Sequence, residues 1–494
     1  MVSSGVDERR LLRKIDLRVI PWLTLLYLLN FMDRGNIGNA KLYNLTDDIH
    51  INKDQYLIAL TVFFFPYALF EAMSNVFLRK LRPSVWLSIV IFLWGIAMTL
   101  HGIIHNYGGL VTVRVLLGLF EAGMYPGIVY YISSWYKRSE MGIRIAVFFS
   151  SATVAGAFSG LLATAISNMD GIGNRPGMSL VVASFNRAHT RFYSGWAWIF
   201  IIEGLVTIIV APISYWIIQD FPDTAKFLTE EERDFVIRRL QEDMQFSAGG
   251  EKFRMSYVYQ SLTDWKTWVA MGIYMGFDGP LYAFSLFTPT IISQLGFSSN
   301  QANLLSVPVY VWGCILTCII GFLGDRLGCR YHINLGLFGI GLVAYIILIV
   351  SSNAALSYFA VYLAVSAIYP IIPNSVAWVA SNIEGTYKRS VTLGIAIGFG
   401  NIHGAVTANI YRSRSQYRLG HGIILAYIAI GFVCSLIFGI FLQRENACRD
   451  RGERDEIIEG IDNEHANVKN GSYESVQAAR IDKGDQWSGF RYTL

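Results

Sequence analysis

The chain has 494 residues, 53% of them hydrophobic and only 15% charged, with a formal net charge of +4. A soluble domain carries about 25% charged residues, so a soluble globular fold is excluded, and the small net charge gives no footprint for nucleic-acid binding. The apolar runs are long and continuous rather than short and alternating, which excludes a membrane barrel and leaves helices, whose backbone groups are bonded internally.

Residues 1–15 open with the charged stretch DERRLLRK, and the first apolar run is long enough to be kept as a span rather than cleaved as a leader. At about 20 residues per crossing, twelve spans are predicted. Six fall at 16–38, 56–79, 84–104, 108–135, 142–167 and 196–218, within an N-terminal unit 16–218. Six more fall at 265–294, 303–325, 332–351, 355–380, 389–411 and 421–443, within a C-terminal unit 265–443. The polar stretch 219–264 joins them, and Thr229 followed by glutamates marks the start of a short amphipathic helix there. The tail 444–494 is polar and mixed in charge, the composition of a disordered segment. The expected fold is an all-α membrane protein of twelve transmembrane helices in two six-helix bundles related by an internal repeat.

Positive charge sets the expected orientation. Arg9, Arg10, Arg13, Lys14 and Arg18 precede the first span. Arg79, Lys80 and Arg82, then Lys137, Arg138 and Arg144, then Arg326 and Arg330, then Lys388 and Arg389 fall in even-to-odd connections. Both termini are therefore expected in the cytosol. Arg175, Arg187, Arg191, Arg412, Arg414 and Arg418, in connections 5–6 and 11–12, run against the pattern. Residues 178–195 split NRPG from WAWIFIIEG and read as an inserted loop or a translated, unspliced intron, alternatives that the mature transcript separates. The five cysteines show no disulfide or zinc spacing. No nucleophile–base set or phosphate loop appears, so neither an enzyme nor a cofactor is expected.

A charge in the hydrocarbon region costs at least about 2.5–3.5 kcal/mol, which makes the ionisable residues within spans informative. Asp33 and Arg34 sit in LLNFMDRGNIGNA, about 12 residues or roughly 18 Å of helix past Pro21. Arg114 and Glu121 lie two turns apart on one face of span 4. Two readings are open: a structural ion-pair cluster, or an anion site with a proton-carrying carboxylate. Tyr67 in span 2 is placed to stack on an aromatic ring. Asp278 beside Gly279-Pro280 marks a broken helix of the kind that lines a cavity. Asn374 and Trp378 in span 10 and Asn401 in span 11 are further candidates for hydrogen bonds to substrate. Glu71 and Glu203 read as structural.

Residues 321–330, GFLGDRLGCR, match the G-x-x-x-D-R-x-G-x-R signature of the major facilitator superfamily, carried by Gly321, Gly324, Asp325, Arg326, Gly328 and Arg330. Glycines there permit close helix approach, and these residues read as gating and structural. Span 1, RVLLGLFEAGMYPG in span 4, IFIIEG and PTIISQLGFSSNQANLLSVPVY resemble the anion:cation symporter family over essentially the whole chain. DRGNIGNA, DIHINKDQY, TVFFFPYALFE and the terminal GFRY look most like its fungal allantoate and vitamin permease branch, closest to the nicotinic acid permease group. The resemblance implies Asp33 and Glu121 as proton-handling carboxylates, Arg34 as the contact for the substrate carboxylate, and Arg114 as charge partner of the carboxylates. It implies a monomeric plasma-membrane symporter of a small organic anion with protons. The alternatives are an exporter or vacuolar carrier of another anion (allantoate, pantothenate, biotin or a sugar acid) and a sensor that binds without transport.

Overall fold

The computed structural model describes residues 6–167, 195–249, 251, 254–294, 296, 299–410 and 417–494. The proposed insertion lies outside these residues except for Gly195, as do Arg175, Arg187, Arg191, Arg412 and Arg414.

The first half comprises α1 (Glu8–Leu42), α2 (Lys53–Leu81), α3 (Pro83–His101), α4 (Tyr107–Ser133), α5 (Met141–Ser167) and α6 (Gly195–Ile217). Two short helices follow, α7 (Glu230–Glu242) and α8 (Met255–Thr263). The second half comprises α9 (Trp265–Gln294), α10 (Ser299–Leu327), α11 (Arg330–Val350), α12 (Ala354–Ser381), α13 (Thr386–Ile410) and α14 (Tyr417–Asp450). Among the described residues, eleven helices are long and apolar enough to cross a membrane. The 30-residue α9 occupies the place of the remaining span.

Local chemistry starts these helices where the sequence points. Asp7 caps α1 by accepting from the Arg9 and Arg10 amides. Asn52 and Gln55 form a reciprocal capping box at the head of α2, and Thr229 and Glu232 do the same at α7. α2 is interrupted at Phe63, between segments Lys53–Val62 and Phe64–Leu81.

Within the first half α3 packs on α6 and α1 on α5; within the second, α11 packs on α14 and α9 on α13. The halves meet where α2 crosses α13 and where α5 crosses α10. Interchanging the halves converts one crossing into the other, as an internal repeat requires. Small residues set the approach. A Cβ on Gly394 would lie 2.7 Å from the Cα of Ala72, and one on Gly321 would collide with Ala146.

The burial pattern inverts that of a soluble protein. Leu69, Ile209, Val350 and Phe359 face outward, whereas Asp33, Glu71, Arg114, Glu121 and Asp278 are buried. Ionisable groups are thus buried among the helices rather than on the outward apolar surface.

Both termini lie on one face, called here the termini face. Glu8 accepts from Arg239 of α7 at 2.6 Å, and Arg138, between α4 and α5, donates to the Arg491 carbonyl at 2.9 Å. The tail departs from the expected disorder. Its residues form two paired strands, β1 (Ile457–Ile458) and β2 (Ser472–Tyr473), and a helix, α15 (Val476–Lys483). Trp487, Phe490 and Tyr492 beyond it are buried. Average polarity hid this because the anchoring aromatics are few and clustered at the end.

Candidate functional site

Arg34 of α1 is the centre of the site. Its Nε donates to Glu121 of α4, its Nη1 to the Tyr282 hydroxyl of α9 at 2.7 Å, and its Nη2 to the Tyr67 hydroxyl of α2 at 2.5 Å. The guanidinium also lies 4.8 Å from the centroid of the Tyr67 ring and 5.9 Å from that of Tyr282. Phe64 packs edge-on against Tyr282 and Phe63 lies beside Tyr67. A cation thus sits among aromatic rings from both halves.

The hydrogen-bond chain continues. The Tyr282 hydroxyl donates to Asn401 Oδ1 at 2.6 Å, and Asn401 Nδ2 donates to Glu71 Oε2 at 3.0 Å. Arg34, Tyr282, Asn401 and Glu71 belong in turn to the first, second, second and first half, so the chain crosses between the bundles twice. Asp278 lies one turn before Tyr282 on α9, buried, and its Oδ2 has no hydrogen-bond partner among the described residues.

Asp33 points to a different neighbour. Its carboxyl lies beside Glu203 of α6 and Trp94 of α3. Glu203 Oε2 accepts from Asn36 Nδ2 at 2.7 Å, one turn on from Asp33. Of the four expected residues Asp33, Arg34, Arg114 and Glu121, Arg34 and Glu121 form an ion pair, Asp33 joins Glu203, outside the four, in a carboxyl pair, and Arg114 enters neither.

Three sequence expectations change. Arg114, expected to partner the carboxylates, makes no ion pair within contact distance among the described residues; its Nε and Nη2 have no hydrogen-bond partner there, and its charge lies near Tyr56, Glu121 and His101. Arg34 reaches Glu121 instead, because α1 brings its guanidinium across to α4. Asn374 and Trp378, expected at the substrate, lie toward the termini face. Asn374 Nδ2 donates to Asn334 Oδ1 at 2.8 Å and to the Arg330 carbonyl at 3.1 Å, while Trp378 Nε1 donates to the Thr493 carbonyl at 3.0 Å.

Tyr67, expected to stack on a substrate ring, bonds Arg34 directly, and Asn401, expected to bond substrate, is joined to Arg34 through Tyr282. Tyr282, not among the residues the sequence singles out, lies one turn after Asp278 and so on the same helix face. Glu71, set aside as structural, is four residues after Tyr67 and shares its face by the same rule. Glu203 reads as structural from sequence, and the packing of α1 on α6 gives it Asp33 as neighbour.

The signature residues close the termini face. Asp325 accepts from the Gly142 and Ile143 amides at 2.9 and 2.8 Å, at the exposed N–H end of α5 in the other half. Arg330 donates to Asp325 at 2.5 Å, to the Arg138 carbonyl at 2.6 Å and to Ser381 Oγ at 3.1 Å. Gly324 makes room for Asn374, Gly328 adopts a φ of +64°, and Arg326 is exposed over Phe322.

Two half-bundles closed at one end over a buried, polar, inter-bundle site describe a membrane carrier. Comparison with known proteins agrees. The Major Facilitator Superfamily profile matches residues 23–408, and the chain belongs to that superfamily. It is 33% identical over 465 residues to the MFS-type transporter cnsO of Penicillium expansum, covering 91% of this chain and 86% of that one. It is 30% identical over 441 residues to the high-affinity nicotinic acid transporter of Saccharomyces cerevisiae, covering 89% and 79%. Its fold is that of the proton:xylose symporter XylE, with a TM-score of 0.61 at 14% identity over 86% of this chain and 96% of that one.

Proposed function

We propose that the chain imports a small organic monocarboxylate together with protons, nicotinate or a related pyridine carboxylate being the substrate, by alternating access across the plasma membrane. In this reading the termini face is cytosolic and the chain works as a monomer. The observation that carries it is Arg34, a guanidinium held by one carboxylate and two tyrosine hydroxyls between the halves. A planar fork with aromatic walls suits a flat ring bearing a carboxylate. The likeness to the yeast nicotinic acid transporter supports the choice of ring.

Coupling follows from competition. Glu121 occupies the position on Arg34 that a substrate carboxylate would take. A substrate that displaces it leaves Glu121 buried without its ion-pair partner, with only the more distant Arg114 nearby among the described residues, and a carboxylate so placed takes up a proton more readily. Substrate and proton then load together, and both must leave before Glu121 returns to Arg34. Asp33, beside Glu203 rather than a cation, is the second carboxyl able to hold a proton.

The test is a competition panel of organic acids against labelled nicotinate, in cells lacking their own carriers, at two external pH values. Uptake that rises at the lower pH and is blocked by pyridine carboxylates is expected. Nicotinate flux no greater than in control cells would remove the substrate and leave the carrier. Accumulation indifferent to pH would remove the proton.

A further inference from the structure

Residues 485–493 of the tail touch both halves of the carrier. On the second half the attachment is deep. Asp485 is buried between Lys266 and Lys388, with Lys388 Nζ at 2.8 Å. Arg449 of α14 donates to the Asp485 carbonyl at 3.0 Å and to the Phe490 carbonyl at 2.8 Å. Asn382, at the end of α12, donates to the Thr493 carbonyl at 3.0 Å and accepts from the Thr493 amide at 2.8 Å.

On the first half, among the described residues, the hydrogen-bonded attachment is made by Arg138. Arg138 Nη1 donates to the Arg491 carbonyl at 2.9 Å and to the Ser381 carbonyl at 3.2 Å, and its guanidinium lies 5.1 Å from the centroid of the Phe490 ring. Its own carbonyl accepts from Arg330. Arg138 is thus where the tail, the signature loop and the two bundles converge.

We propose that residues 485–493 form a strap that holds the termini face closed, anchored on the second half and latched to the first through Arg138. Opening this face separates the halves. A segment bonded to both must release one of them, and the single latch yields before the many-bonded anchor. The strap then travels with the second half. It adds to the Asp325 contact with α5, and it lets the length and state of the tail bias the carrier between its two conformations. The inference rests on the carrier class alone and is independent of substrate and proton.

The test reads closure without transport. Ser390 is buried where α2 meets α13, and its carbonyl accepts from Asn75 at 2.9 Å. A Ser390→Cys variant in nanodiscs, without substrate, is reacted with a maleimide, and labelling of the parent chain's native cysteines is subtracted. Adding Arg138→Gln, which removes a hydrogen bond from a charged group, or Phe490→Ala, which removes the ring beside that guanidinium, should speed labelling about tenfold. Ile481→Ala, at an exposed tail position outside the strap, should leave the rate unchanged. An unchanged rate in a well-folded Phe490→Ala protein overturns the strap. So does an equal acceleration by Ile481→Ala, since the effect would then be general loosening.

Discussion

Arg34 makes a demanding set of contacts for one side chain: a carboxylate, two phenols and the face of a ring. Lysine keeps the charge but not the planar fork. Arg34→Lys should therefore lower uptake about 10–100-fold, the loss of one or two charge-assisted hydrogen bonds, while surface expression is unchanged; initial-rate uptake of labelled substrate measures this. Glu121→Gln removes the competing anion and the proton acceptor together. It should abolish accumulation against a gradient yet retain exchange of internal for external substrate. Uphill accumulation surviving in both Glu121→Gln and Asp33→Asn would contradict the coupling argued above. Much of this site was legible in the sequence because an ionised group is costly in a span, so each such group was visible. What the sequence withheld was which groups meet. Periodicity places Arg114 and Glu121 on one face of α4, but it cannot say that Arg34 of α1 reaches Glu121, or that Asp33 turns to Glu203.

Helices were legible for a related reason, since a run of about 20 apolar residues admits few other structures. Depth along a helix is a weaker signal in the sequence. Asn374 lies seven residues before the end of α12, roughly 10 Å from it, which places it at the termini face rather than at the level of Arg34. At this scale the contact between elements is the testable unit. Asp325 places two carboxylate oxygens on the first amides of α5, where the helix dipole favours negative charge. Asp325→Asn keeps one acceptor and loses the charge, and it also leaves Arg330 without its ion pair. The closed termini face should lose about 1–2 kcal/mol, a five- to thirtyfold shift toward the open form on the usual conversion. Spin-label distances between the exposed positions Lys80 and His332, one in each half, should broaden toward longer values. Distances that remain at the closed value would mean that the crossing glycines and the strap hold this face without Asp325.

At the scale of the whole molecule, the tail links its own chemistry to the conformation of the bundles. Asp485 is the charged centre of that link. Burial pushes its carboxyl up, but Lys266 and Lys388 outweigh burial and hold it below the usual carboxylate range. A group whose value is depressed in the folded state contributes stability at any pH above its unfolded value, about 3.9, and loses it only as pH falls through the folded one. Acidification from neutrality to about pH 5 lies wholly above both values, so Asp485 gives the docked tail no response to it; Glu384, whose amide donates to Asp485 and whose carboxyl burial pushes up, is the neighbouring group that could. Hydrogen exchange of residues 485–493, corrected for the intrinsic pH effect, should show equal protection at pH 7 and pH 5. Asp485→Asn should behave differently at both pH values. It leaves Lys266 and Lys388 with Asp264 alone, at 3.5 and 2.7 Å, and breaking a buried charge set in this way costs about 3–5 kcal/mol. Protection should then collapse across the segment. Release of the native tail at pH 5 would show that another group governs docking, whereas protection persisting in Asp485→Asn would place the anchor in the aromatic residues and in Arg449.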